Sequence, residues 1–253
     1  VATQHSENFT SEHVKSGVEM LDRLTSGGPA RGTSTLLIGP AGSGKSTLAV
    51  QYAVAAAERG DHAIVFAFDE TLRTLVSRTD ALGINFRQGT KSGQIAIRQI
   101  DPAELSPGEF VHLVRNSVER DNARIVVIDS LNGYLNAMPD ERFLINQLHE
   151  LLTYLGRRGV TTFLVAAQHG IVGGNMAAPV DTTYLADTVI LLRFFEHAGQ
   201  VRKAISVVKN RSGPHEESIR ELQMGSDGIS LSEPLTRFRG ILTGVPVELD
   251  TQG

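Results

Sequence analysis

From residue 17 onward, short apolar runs alternate with longer stretches whose apolar positions recur every three or four residues. Runs at 34–38, apolar in its second half, and 62–68 predict strands, and the continuously apolar runs at 124–129 and 160–167 are of the type buried on both faces of a parallel sheet. Residues 95–100 alternate and predict a further strand. Between these runs, Leu48, Tyr52, Ala55 and Ala56 fall at helical spacing, and 71–82 predicts a helix ended by Gly83. Ser106 and Glu109 form a capping-box pair with Pro107 at the first helical position, and Phe110, Val111, Val114 and Val118 make the core face behind it. Asp140 and Glu141 open a long helix to about Arg158, with Leu144, Leu148, Leu151, Leu152 and Leu155 on one side. After a Gly/Ala/Pro-rich loop to about Thr183, the rhythm changes. Residues 188–195, 202–208, 218–224 and 229–231 predict strands joined by short turns, hence antiparallel hairpins.

The pattern predicts an α/β fold: a mostly parallel central sheet flanked by helices, with antiparallel strands added at the C-terminal edge. Residues 1–16 read as a polar leader, 17–248 as one domain and 249–253 as a tail. At 253 residues, 41% hydrophobic and 21% charged, the composition is that of a globular protein. A net charge of -4 gives no sign of a nucleic-acid or membrane surface built on bulk charge. Cysteine is absent, so disulfides and thiolate metal sites are excluded. No apolar run reaches the roughly 18 residues a membrane helix needs, and no signal peptide is visible, so a cytoplasmic location is the default expectation. The chain begins at Val1 rather than Met, in keeping with a processed chain or a piece of a longer one.

The stretch between the first strand and the first long helix carries the chemistry. Gly39, Pro40, Ala41, Gly42, Ser43, Gly44, Lys45, Ser46 and Thr47 fit G-x-x-x-x-G-K-[ST], a phosphate-binding loop between a buried strand and a helix. A nucleoside triphosphate concentrates negative charge, so its site needs many donors at short range. Glycines let the backbone N–H groups curl inward, and the helix start adds further unpaired N–H groups. Lys45 is expected on the β- and γ-phosphates and the Ser46 hydroxyl on Mg²⁺.

Asp129 closes the apolar run 124–129 and suits the metal-holding acid of such a site, with Ser130 beside it. Asp69 and Glu70 end the second strand, where one of them could deprotonate the attacking water, the strand being expected next to the loop's own strand. Gln168, at the tip of the strand after Asp129, suits a γ-phosphate sensor; the alternative is a solvated strand end. Lys209 and Arg211 share one face of extended chain, as an arginine-finger pair would. Spacing alone favours a solvated basic edge there.

Taken in order, Gly17 to Asp22 (Gly-Val-Glu-Met-Leu-Asp), the phosphate loop, Phe68-Asp69-Glu70, Ile128-Asp129-Ser130-Leu131, and Lys209-Asn210-Arg211 with His215 resemble the KaiC-type ATPases of the RecA/RadA superfamily. The closing segment from Arg237 to Pro246 resembles the end of the second half of the two-domain clock protein. The resemblance implies ATP and Mg²⁺ between the subunits of a homo-hexameric ring, in a signalling or clock role with signalling-protein partners. Lys45, Ser46, Glu70 and Asp129 would come from one subunit, and Lys209, Arg211 and His215 from the next. It also implies Asp227 at the nucleotide. The family's acidic pair is usually Glu-Glu, which favours Glu70 as base over the shorter Asp69. An autokinase is implied as well; of the two acceptor positions before Asp187-Thr188, Thr183 keeps the usual hydroxyl and Tyr184 does not. The competing expectations are a DNA-dependent recombination ATPase, against which the loop 169–183 contains no Lys or Arg, and a nucleotide-gated interaction scaffold.

Overall fold

The computed structural model describes residues 12–135, 141–168, 183–243 and 246–249. Residues 1–11 of the leader, Asp140, loop residues 169–182, Gly244 and Val245, and 250–253 of the tail lie outside the described residues.

Strands β1 (Ser34–Gly39), β2 (His62–Ala67), β3 (Ile95–Gln99), β4 (Ala123–Asp129), β5 (Thr161–Ala167), β6 (Thr188–His197), β7 (Gln200–Asn210), β8 (Arg220–Gly225) and β9 (Gly228–Pro234) form one sheet in the order β3-β2-β4-β5-β1-β6-β7-β8-β9. Pairing is parallel from β3 through β6 and antiparallel from β6 through β9. Two expectations are corrected here. Strand β6 pairs in parallel with β1 before it turns into the β7 hairpin, so it belongs to both parts of the sheet. Strand β2 is not next to β1; β4 and β5 lie between them. A helical crossover can return the chain several positions away, and apolar patterning within a strand does not encode which neighbour it will find.

The alternation along each strand sorts the core into two layers. Leu37, Ile125 and Val127 face one cluster, with α2 (Lys45–Glu58), α3 (Leu72–Ala81) and α4 (Phe86–Ser92) over it. Leu36, Ile38, Val126 and Ile128 face the other, with α5 (Pro107–Glu119), α6 (Leu131–Leu135) and α7 (Glu141–Arg157). Helix α5 starts with the capping box that its sequence announces. Helix α3 is capped by Thr71, which accepts the Thr74 N–H, so neither Asp69 nor Glu70 is spent as a cap.

The short helices α1 (Glu19–Leu24), α4 and α6 have no counterpart among the predicted elements, because five to seven residues are too few for helical periodicity to stand out. A small pair, β10 (Phe238–Arg239) with β11 (Val247–Glu248), lies beyond the sheet. Residues 12–16 differ from the polar leader they were expected to extend. Val14 and Ser16 are buried, and backbone hydrogen bonds join Val14 to Pro29 and Arg31 to Glu12. Ser16 donates its N–H to Asp22 Oδ1 at 2.7 Å, so the polar groups of this segment are satisfied inside the fold.

Candidate active site

All parallel strands point their carboxyl ends to one edge, where open α/β sheets place their ligands. The phosphate loop leaves β1 there, Asp129 ends β4, Phe68-Asp69-Glu70 follow β2, and Gln168 follows β5.

The loop makes a cradle that only glycine allows at two points. A Cβ on Gly39 would stand 2.4 Å from the Leu192 carbonyl oxygen, so the loop could not lie against β6. Gly44 caps α2 at φ +107, in the left-handed region. Ser43, Lys45 and Thr47 are buried, and Ser43 Oγ has no hydrogen-bond partner. Ala41 and Gly42 form the exposed turn of the loop, and the buried Pro40 gives its carbonyl to Lys45 Nζ at 2.6 Å. Burial pushes the Lys45 amine down to about 8, with Asp129 opposing the shift. A cationic group held inside the loop with one neutral acceptor is what a phosphate oxygen would complete. The cleft in front of it, about 340 Å³, is lined by Gly42, Gly44, Lys45, Ser46, Thr47, Arg78 and, from the β7–β9 region, Lys203 and Met224.

The Ser46 side chain lies close enough to the Asp129 carboxylate to favour its ionised form, which brings together the two oxygen donors predicted for Mg²⁺. Asp129 is pushed above the usual carboxylate range by burial, with Asp69 adding to the shift and Ser46, Arg78 and Lys45 opposing it. Such an acid is ready for a cation. Its peptide bond to Ser130 is cis.

The two neighbouring acids have different surroundings. Asp69 accepts a hydrogen bond from the Ser130 hydroxyl, and Ser130 Oγ accepts the Gly133 N–H at 3.3 Å. The Ser130 hydroxyl thus links the turn after β4 to the segment after β2. Glu70 Oε2 lies 3.0 Å from Arg78 Nη2 on α3. Burial raises the Glu70 pKa and so does Asp129, while Arg78 holds it down. Gln168 gives its N–H to the Gly39 carbonyl at 2.9 Å, and its buried Oε1 has no hydrogen-bond partner.

Three residues of this edge were not singled out by sequence. Arg78 follows the buried Leu75 by three positions; a cation beside a helix's core stripe needs a counter-charge, and that was the available signal. Asn132 grips both backbone groups of Ala167, at 2.7 and 3.1 Å, and so fixes the turn after Asp129 to the end of β5. Lys203 had no signal, since its place in the cleft depends on the β6–β7 register.

Lys209 and Arg211 are at the other end of the sheet. Asn210 pairs with Thr188, and Thr188 pairs with Thr35 near the start of β1. Four residues of β6 separate Thr188 from Leu192 beside Gly39, about 13 Å at ~3.3 Å per residue. Lys209 Nζ donates to the carbonyls of Thr183 and Ala186 at 2.7 and 2.6 Å, which puts Thr183 beside it. Arg211 is exposed and lines a second hollow with Arg157, His149, Tyr184 and Asp187. His215 is half-buried in the segment that leaves β7. Asp227 is exposed in the β8–β9 turn, on the hairpin that brings Met224 to the cleft. The chain thus brings together the loop, Glu70, Asp69, Asp129 and Gln168, and keeps Lys209 and Arg211 away from them.

The fold and the phosphate edge are those of a RecA-like P-loop ATPase domain. A family model described as "ATPase: KaiC" matches residues 14–236, and the chain belongs to that family. It is similar to the circadian clock protein KaiC3 of Synechocystis, 24% identical over 97% of this chain and 48% of that protein. It is also similar to the circadian clock oscillator protein KaiC of Thermostichus vulcanus, 25% identical over 98% of this chain and 47% of that protein. The chain spans about half the length of these curated relatives. Among the described residues, no helix is long and apolar enough to cross a membrane.

Proposed function

We propose that the chain binds ATP and hydrolyses it slowly with Mg²⁺ at sites shared between neighbouring copies in a hexameric ring, in a KaiC-like signalling or clock role. One observation carries the shared site: the loop with its acids and the pair Lys209 and Arg211 occupy opposite ends of one sheet. No single copy can close both around a phosphate.

In this reading the loop N–H groups and Lys45 hold the phosphates. Ser46 and Asp129 hold Mg²⁺, which would draw charge from the β- and γ-oxygens. Glu70 takes the proton of the attacking water; its raised pKa moves it toward the range a general base needs. Asp69, engaged by Ser130, orients the segment instead. Gln168, held at the loop by its own backbone N–H on the Gly39 carbonyl, offers its side-chain N–H groups to the terminal phosphate. Lys209, Arg211 and His215 of the next copy neutralise charge on the transferring group, and Asp227 stands on the nucleotide's own side.

A mixing experiment tests this. Arg211→Ala and Glu70→Gln proteins should each bind ATP with little turnover, and their mixture should recover part of the activity at interfaces that pair two intact halves. Absence of recovery in stable mixed oligomers overturns the shared site.

The contact between Lys209 and Thr183 favours a second acceptor. The γ-phosphoryl would pass to the Thr183 hydroxyl, giving ADP and phosphothreonine. Incubation with γ-labelled ATP that releases phosphate while leaving Thr183 unlabelled removes this branch. DNA is not favoured as a partner, since 169–183 carries no Lys or Arg.

A further inference from the structure

Arg78 has no part in the reading above, yet it stands in the phosphate cleft. It projects from α3 one turn after Leu75, which is 1% exposed, so a packed helix rather than a loop sets its backbone. Its Nη2 lies 3.0 Å from Glu70 Oε2, it acts on Asp129 through its charge, and it lines the cleft with Gly42, Lys45 and Ser46. The Glu70 contact occupies only the Nη2 end of the guanidinium, and the buried Nε donor has no hydrogen-bond partner. An ordinary surface pair would leave such a donor to water. Here it is sheltered beside a loop built for phosphate, and a guanidinium satisfies its fork best on a carboxylate or phosphate edge.

We propose that Arg78 is a positioning residue that ties Glu70 to the presence of a terminal phosphate. It pairs with Glu70 when the cleft holds no triphosphate and turns to the phosphate oxygens when it does, leaving the Glu70 carboxylate to engage water. The proposal rests on Glu70 being the base. A diphosphate lacks the terminal oxygens, so Arg78 stays with Glu70 and the cleft discriminates between the two nucleotides. The direction of this coupling is electrostatic: the guanidinium's other suitor carries more charge than one carboxylate.

The test is calorimetric titration of the full chain with ADP and with a non-hydrolysable ATP analogue, together with the pH profile of ATP hydrolysis. Arg78→Gln should weaken the analogue about tenfold or more while ADP affinity stays within about twofold. The acid limb of the pH–rate profile should move to higher pH, because the charge that held the Glu70 carboxyl down is gone. Should that variant melt early, Arg78→Lys keeps a charge and loses the fork, and the analogue-to-ADP preference must still fall. Equal weakening of both nucleotides, or an unchanged preference and acid limb in both variants, overturns the proposal while leaving the ATPase reading intact. Failure of the wild-type chain to bind either nucleotide overturns both readings.

Discussion

One carboxylate oxygen of Asp187 accepts both the backbone N–H and the hydroxyl of Ser34, each at 2.9 Å. This contact joins the start of β1 to the start of β6, and the Asp187 carbonyl in turn takes the Arg211 N–H at 2.9 Å. The side chain thereby sets the place of Arg211 at the foot of the sheet. Asp187→Ala leaves the sheltered Ser34 N–H unpaired and its hydroxyl with only the Leu185 carbonyl at 3.4 Å, and should cost about 1–3 kcal/mol. Each kcal/mol lowers the melting temperature by about 2–4 °C for a domain of this size. Thermal melting followed by circular dichroism checks the value, and an unchanged midpoint contradicts the contact.

Asp129 should trade stability for cation binding. Burial holds its carboxyl above its ordinary pKa of 3.8. As pH rises past that value the unfolded chain gives up its proton first, so the folded state loses stability until Asp129 also ionises. Asp129→Asn should therefore make the metal-free chain more stable at pH 7, seen as a raised melting temperature. The gain should vanish below pH 4 and Mg²⁺-dependent nucleotide binding should be lost. Melting curves in a chelator at pH 3.5 and 7 decide it; a less stable variant at pH 7 contradicts the burial argument.

Lys45 gives nucleotide affinity a pH limit. Its ammonium, held near 8 rather than at 10.5, is the form a phosphate needs. Affinity should be level below about pH 8 and fall by up to tenfold per unit above it. Lys45→Arg should remove that break, since a guanidinium stays charged. Titrations between pH 6.5 and 9.5 would reveal it. Lys45→Ala should abolish ATP binding and, with it, assembly measured by light scattering.

Gly133 supports the acid pair from behind. A Cβ there would lie 2.5 Å from Phe68 Cβ and 3.2 Å from Asp69 Oδ1. Gly133→Ala should push the 68–70 segment outward, at about 1–3 kcal/mol, and lower turnover more than nucleotide affinity. A steady-state comparison of kcat and KM, with KM unchanged and kcat reduced, is the expected pattern.

What could be read in advance was what local chemistry dictates. Continuous apolar runs located β4 and β5, the capping box located α5, and the loop motif with Asp129 marked the phosphate edge. The order of the strands was not legible, because β2 and β1 are related by crossovers rather than by their own side chains. Lys203 was hidden for the same reason: it reaches the cleft through the β6–β7 register. Residues 12–16 looked like solvent-exposed leader since their composition is polar, while their burial depends on backbone partners that composition does not reveal.

In the proposed shared site, the separation of the loop from Arg211 makes each copy polar, with a donor end and an acceptor end that differ. Contacts between unlike ends are heterologous: they cannot terminate in a symmetric pair, and they close only when the rotation per step divides a full turn. The number of subunits is then decided by the tilt at the interface and not by the chemistry of the site. A dilute sample should lose specific activity as copies part, so turnover per chain carries a concentration dependence that no one-chain site would have.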